Sequence, residues 1–263
     1  MLKYTLAIYS LLLSLCTIAQ NEKMETDRPG KTNTPSTTPH KWLQTEMGFG
    51  KQTEKYKPFT YNDTYLQIPS LLLKYGLVRK VEIRLISAFA YQSLGTISIP
   101  ETARGISNTQ FGGKFNFLQQ HGFLPKTSII AHYRLNALNS NIVGKDTING
   151  GNISLAMSNT VSEKFLIGYN IGMEKITWQY DSRYFYSLSP KFNFAENWQA
   201  FVEIYGDLWK GRRAQTSVDA GMSYYINDNI KVDASAGMRL NKNTNLKFFG
   251  VGGSFRFKTS NKN

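Results

Sequence analysis

From residue 41 onward apolar and polar residues alternate in short runs, the period-two pattern of strands with two unlike faces. In 81–91, Val81, Ile83, Leu85, Phe89 and Tyr91 share one face, and Glu82 and Arg84 take the other. In 165–174, Phe165, Ile167, Tyr169, Ile171 and Met173 oppose Gly168, Asn170, Gly172 and Glu174. The split recurs in 127–135, in 230–240 and in the last run, where Phe249, Val251, Phe255 and Phe257 oppose Gly250, Gly252, Ser254 and Arg256. Helical stripes of period 3.6 are hard to find. The pattern predicts about twelve strands, near 41–50, 62–77, 81–92, 105–118, 124–136, 149–160, 164–175, 183–193, 198–206, 214–226, 229–240 and 246–258. Most have a length that suits a tilted bilayer crossing and exceeds the ordinary soluble strand.

The connections alternate as well. Those after even-numbered strands are tight, at 77–80, 119–123, 161–163, 195–197 and 227–228. Those after odd-numbered strands are mostly longer, at 51–61, 93–104, 137–148, 176–182, 207–213 and 241–245. Short periplasmic turns and longer external loops give this alternation in an even-stranded, all-β transmembrane antiparallel barrel of the outer-membrane type. Aromatic residues cluster near strand ends: Tyr75, Phe165, Trp198 and Tyr224 by the tight turns, and Tyr91, Trp178, Tyr184 and Trp209 by the longer loops. Pro69 falls inside the second strand, where it cannot donate to the ladder and the alternation slips, so a bulge is expected there.

Residues 1–19 read as a cleaved secretory signal, with Lys3, an apolar stretch from Leu6 to Cys16 and the small-x-small site Thr17-Ile18-Ala19. Lipidation of Cys16 fits less well, because Leu15 stands where that processing needs a small residue. Cleavage would remove the only cysteine, leaving no disulfide or thiolate metal site. Residues 20–40, rich in Thr, Pro, Asn and charge, form a separate leader. The barrel is expected over 41–258 and a polar tail over 259–263.

Composition narrows the function. The chain of 263 residues carries 16 Phe, 15 Tyr and 4 Trp, far more aromatic surface than a disordered chain would hold. Its formal charge of +13 falls to +12 when Lys3 leaves with the signal. By parity the inward face carries Lys74, Arg84, Lys114, Arg134, Lys191, Lys231, Arg239 and Arg256 against Glu46, Glu82, Glu174, Glu203, Asp219 and Asp233, which nearly balance. The remaining positive charge lies in loops, turns and the tail, beside lipid phosphates, so outer-membrane lipids explain it better than nucleic acid does. The lumenal charges read either as ion pairs filling a narrow barrel or as a charged conduit that orients a small solute.

No metal-ligand spacing such as HExxH and no GxSxG elbow is present. His40, His121 and His132 are scattered, and only His132 stands at a mid-strand lumenal position, near Ser128 and Ser154; it reads as a network member rather than a catalyst. The chain is therefore read as a non-enzyme with no cofactor.

Several short motifs carry a family resemblance. Thr26-Asp27-Arg28-Pro29, then Thr32 and Thr34-Pro35, then Trp42, Gln44, Glu46, Gly48 and Phe49 open the mature chain. Leu72-Leu73-Lys74-Tyr75-Gly76-Leu77 leads to Val81-Glu82-Ile83-Arg84, and Gly250-Val251-Gly252 with Phe255-Arg256-Phe257 closes it. The sequence resembles the MetA-type outer-membrane family, named for the phenol meta-cleavage pathway, across most of its length. It departs in Gly30, where an acidic residue is common, and in Val78 and Lys80, in a turn that often carries Asp. The resemblance implies a barrel, an outer-membrane location in a Gram-negative-type bacterium and a transporter label, with no catalytic set.

Two functions follow: a channel or transporter for small aromatic or hydrophobic molecules, or a structural or surface-interaction barrel with a closed, ion-paired lumen. Asp27, Arg28 and Pro29 suit a leader that folds back into the periplasmic mouth as a plug. The aromatic terminus Phe255 and Phe257 is expected to be read by the barrel-assembly machinery.

Overall fold

The computed structural model describes residues 23–56, 61–96, 99–135, 150–176, 181–241 and 244–259. The expected signal, Cys16, Trp178 and most of the polar tail lie outside them. Twelve antiparallel strands close into one barrel: β1 (Trp42–Tyr56), β2 (Tyr61–Val78), β3 (Val81–Thr96), β4 (Ile99–Leu118), β5 (Lys126–Arg134), β6 (Gly150–Thr160), β7 (Phe165–Ile176), β8 (Arg183–Ala195), β9 (Trp198–Trp209), β10 (Gln215–Asn227), β11 (Ile230–Arg239) and β12 (Thr244–Lys258). Each strand pairs with its sequence neighbours, and β1 pairs with β12 from Trp42↔Lys258 to Tyr56↔Thr244, so no edge is left open at the seam.

Parity sorts the side chains as the sequence pattern predicts. Outward residues such as Phe49, Phe89, Ile171, Val202 and Phe249 stand exposed on the barrel's exterior. Such a surface is stable only against lipid. Phe194, Trp198 and Tyr224 make a contiguous outward aromatic cluster beside the short turns, with centroids 6.1 and 4.8 Å apart. Trp209 departs from the girdle reading: it pairs with inward-facing Arg183 and so falls on the lumenal row.

Two expected loops prove to be largely strand. Where 51–61 and 93–104 read as connections, β1 runs to Tyr56, β3 to Thr96, and β4 begins at Ile99. In this stretch of β1 the outward positions are Lys51, Thr53 and Lys55, while Gln52 and Glu54 face inward. Above the membrane the outer face meets water, so the apolar half of the alternation disappears while the hydrogen-bond ladder continues. Among the described residues, β1–β4 are therefore longer strands than β5–β11.

Pro69 lies in the expected irregularity: the β1–β2 register shifts between Gly48 and Gly50, which face Ser70 and Gln67, leaving Ile68 and Pro69 as the bulge. Within the lumen, inward aromatics cover cross-strand glycines. Phe201 faces Gly221, Phe248 faces Gly237 and Phe185 faces Gly172, and a Cβ on any of these glycines would meet the facing ring. The rings thus fold back onto the wall.

Candidate functional site

Residues 23–40 enter the lumen from the short-turn end, turn at its middle and return. At entry the Met24 backbone N–H donates to Asp228 O in the β10–β11 turn. On return the Lys41 N–H donates to Gly76 O, beside the bridge between His40 and Gly76. Between these points the leader lacks secondary structure of its own, and the wall satisfies its backbone. Glu46 accepts from the N–H groups of Asp27 and Arg28, at 3.1 and 3.0 Å from its Oε2. Glu203 accepts from those of Lys31 and Thr32 (2.6 and 2.7 Å), and Glu82 from that of Thr38 (2.6 Å). Lys114 Nζ donates to Thr34 O at 2.8 Å, and Asn170 Oδ1 accepts from Asn33 N at 2.7 Å.

The Asp27 carboxylate is the centre of the densest charge cluster. Oδ2 lies 2.8 Å from Arg84 Nη2 and 3.6 Å from Lys74 Nζ, and Oδ1 lies 3.6 Å from Lys114 Nζ. Burial pushes this carboxyl up, but Lys114, Lys74 and Arg84 outweigh it and hold it well below the usual carboxylate range. A carboxylate lowered in this way contributes stability above its unfolded value and loses it only as pH falls through the folded one. The Asp27 carboxyl should therefore stay ionised, and its contact with Arg84 intact, from about pH 8 to about pH 5, which a carbon-13 titration of that carboxyl would check.

Arg28 extends to the opposite side, where Nη2 meets Asp233 Oδ1 at 2.8 Å. Its guanidinium lies over Gly48 and Gly252, which face each other across the β1–β12 seam, and a Cβ on either would collide with it. Gly76 likewise leaves room for the Pro39 carbonyl, and Gly168 lies against the Thr32 methyl. The seat is cut into the wall by glycines. Gly48→Ala should leave the barrel intact but dislodge Arg28 from Asp233, giving intermittent openings in bilayer recordings while heat-modifiable mobility is unchanged.

All fifteen residues expected to line the lumen lie on the inward row. Glu46, Lys74, Glu82, Arg84 and Lys114 come together around Asp27: Lys74 Nζ is 2.5 Å from Glu46 Oε1, and Arg84 Nη1 is 2.8 Å from Glu82 Oε1. His132 accepts at Nε2 from Arg84 Nε (3.1 Å), which leaves its Nδ1–H for Asn152 Oδ1, also 3.1 Å away. It is a link in a hydrogen-bond chain. Lys231 donates to Thr26 Oγ1 at 2.6 Å and Asp233 holds Arg28.

The others stand apart from the leader's anchor. Arg134 and Glu174 pair at 2.8 Å near the long-connection end, Arg239 pairs with Glu54, and Arg256 donates to Asn229 Oδ1 at 2.8 Å over the Trp42 ring. Lys191 lines a small cavity beside Glu25. Asp219 faces Glu203 across β9–β10 and is buried against it. Pro29 borders a cavity of about 180 Å³ against the glycines of β1 and β12.

Sequence reasoning passed over Arg183 and Asp207, which lay near expected loops. Arg183 bridges Glu174 (2.5 Å) and Asp207 (3.0 Å). It also passed over Asn170, Ser187 and the seat glycines, whose parity alone placed them inward.

The leader lies between two cavities. One of about 560 Å³ opens toward the long connections and is lined by Asp27, Lys31, Arg84, Arg183 and Tyr205 among others. The other, of about 770 Å³, lies at the short-turn end, lined by Glu25, Thr38, Lys126 and Arg256 among others. No lining residue is shared.

The family model described as "Putative MetA-pathway of phenol degradation" matches residues 26–257. No curated protein sequence matches. Among solved structures, an outer membrane channel from Pseudomonas putida F1 superposes at a TM-score of 0.68 with 10% identity, covering 89% of this chain and 100% of that one. The translocator domain of the autotransporter NalP from Neisseria meningitidis gives 0.56 at 10% identity, with 83% and 90% covered. A KdgM porin in complex with disordered oligogalacturonate gives 0.51 at 10%, with 81% and 99% covered. At such identities the likeness is one of fold, that of outer-membrane barrels.

Proposed function

We propose, from the premise that this chain belongs to the MetA-pathway family, that it is an outer-membrane channel for small molecules, aromatic or hydrophobic ones included, whose lumen the leader closes from the periplasmic side. The observation that carries this reading is the course of residues 23–40, hydrogen-bonded to β1, β3, β4, β7 and β9 between two separate cavities. A wall with this many inward charges could have been packed by cross-strand pairs alone. Instead Glu203 and Asp233 spend their acceptor capacity on the leader, which makes it an insert rather than a bystander.

The alternative, a structural barrel with a permanently closed lumen, draws on Arg134–Glu174–Arg183–Asp207, an ion-paired belt across β5–β9. In the channel reading that belt frames the outer vestibule. Export by a cleaved signal over 1–19, insertion by the barrel-assembly machinery and residence among outer-membrane lipids complete the proposal.

A lock distinguishes the two. Thr32 Oγ1 and Ser187 Oγ are 2.7 Å apart, so the pair Thr32→Cys and Ser187→Cys should cross-link under oxidation. The oxidised barrel should be silent in a planar bilayer and the reduced one should open at least as often as the parent. Equal silence before and after reduction would favour the permanently closed barrel.

A further inference from the structure

We propose that the Lys74–Arg84–Lys114 cluster is a binding site for a small organic monocarboxylate, and that such a solute, entering from the long-connection end, opens the barrel by taking the place of the Asp27 carboxylate. The inference rests on the reading of residues 23–40 as a plug and adds what displaces it.

The wall brings three cations together with two carboxylates, Glu46 and Glu82, and none of the five is more than 2% exposed. Lys74 meets Glu46 at 2.5 Å, while Glu82 serves both Arg84 at 2.8 Å and Lys114 at 3.4 Å. One positive charge remains on the wall, and Asp27 neutralises it. The Asp27 carboxylate therefore behaves as a bound monoanion. Its polar contacts are Arg84 Nη2, Lys74 Nζ, Lys114 Nζ and the N–H of Thr34, which belongs to the leader itself (2.8 Å).

Geometry selects the class of ligand. Arg84 has Nη1 committed to Glu82 and Nε to His132, so it offers Nη2 to the ligand, with the two ammonium groups flanking at 3.6 Å. A single carboxylate fits that arrangement and that charge. A neutral hydroxyl leaves the wall's extra cation buried without a counter-ion, and a dianion overcompensates it. Access is already built: Asp27 and Arg84 both line the 560 Å³ outer cavity, whose Phe185, Leu72 and Ile86 offer apolar contact to the rest of the molecule. A solute in that cavity thus lies beside Asp27 and Arg84, and reaches the buried guanidinium as the Asp27 carboxylate swings aside. Once it holds Arg84, Asp27 loses its nearest cation and keeps only the two ammonium groups at 3.6 Å, for which the solute carboxylate also competes.

The test compares sodium benzoate with benzyl alcohol, a neutral molecule of the same shape, on the mature chain in planar bilayers at constant ionic strength. Benzoate is expected to raise the open fraction severalfold, benzyl alcohol to leave it unchanged, and Asp27→Asn to shift the benzoate response to lower concentration because the competing carboxylate is gone. Maleimide labelling of Thr32→Cys, buried at the turn of the leader, should rise in parallel with benzoate. Equal responses to the two molecules, or no response in either readout, would overturn the proposal. The variant lacking 20–40 separates the failures. If it conducts freely while benzoate does nothing to the parent, the carboxylate site alone is wrong; if it conducts no better than the parent, the plug itself is wrong.

Discussion

Removal of residues 20–40 should raise single-channel conductance by roughly an order of magnitude, because twelve strands enclose a lumen little wider than its own side chains and the leader occupies the middle of it. The expectation comes from what the leader touches. With it gone, Glu203 and Glu46 lose their backbone donors, Asp233 loses Arg28, and the Lys74–Arg84–Lys114 cluster loses Asp27. Water and ions must fill those positions. Each lost donor costs about 1–3 kcal/mol unless solvent replaces it, so the deleted barrel should also unfold more readily. Heat-modifiable mobility on the same sample separates an open barrel from an unfolded one. A folded deletion variant with the parent's conductance would refute the plug.

The second large effect is expected at the chain's end. Phe255 and Phe257 stack at 6.4 Å on the outer face of β12, where they pair with Thr45 and Leu43 of β1 across the closing seam. Replacing both with Asp places two carboxylates on the lipid face of a strand that closes the barrel, a change that costs up to a few kcal/mol per charge near the bilayer and removes the aromatic terminus proposed as the signal for the assembly machinery. The double variant should fail to reach the outer membrane, seen as loss of the heat-modifiable band in membrane fractions. Conservative Phe→Leu replacement at both sites should restore folding in vitro; assembly in cells that then still fails would point to recognition rather than to lipid packing.

The sequence spoke clearly where the two faces of a strand meet unlike surroundings. Ile171 against Asn170, or Val232 against Lys231, needs no tertiary knowledge, because lipid and lumen impose opposite demands on neighbouring residues. The same rule fell silent at Lys51, Thr53 and Lys55, where both faces are wet and a continuing strand looks like a loop. Within the lumen, parity could say that Glu203 and Arg84 are polar and enclosed, but not that one receives the leader's backbone while the other meets Asp27. That information lies in where glycines fall opposite one another: Gly48 opposite Gly252 becomes a recess only once β1 and β12 lie side by side. Residues this far apart carry no local signature.

The seam position of Arg28 has a consequence for the order of folding. The leader is synthesised ahead of every strand it will touch, yet Asp233 lies 205 residues downstream and the Gly48–Gly252 recess exists only after the first and last strands have met. Docking of the leader therefore has one of the largest loop-closure requirements in the chain and belongs to the end of folding, not its beginning. Once seated, Arg28 reaches from the glycines of both closing strands to β11, and Glu46 ties the adjacent backbone to β1. The segment made first is thus the latch fastened last, and its fastening reports that the circle of strands is complete.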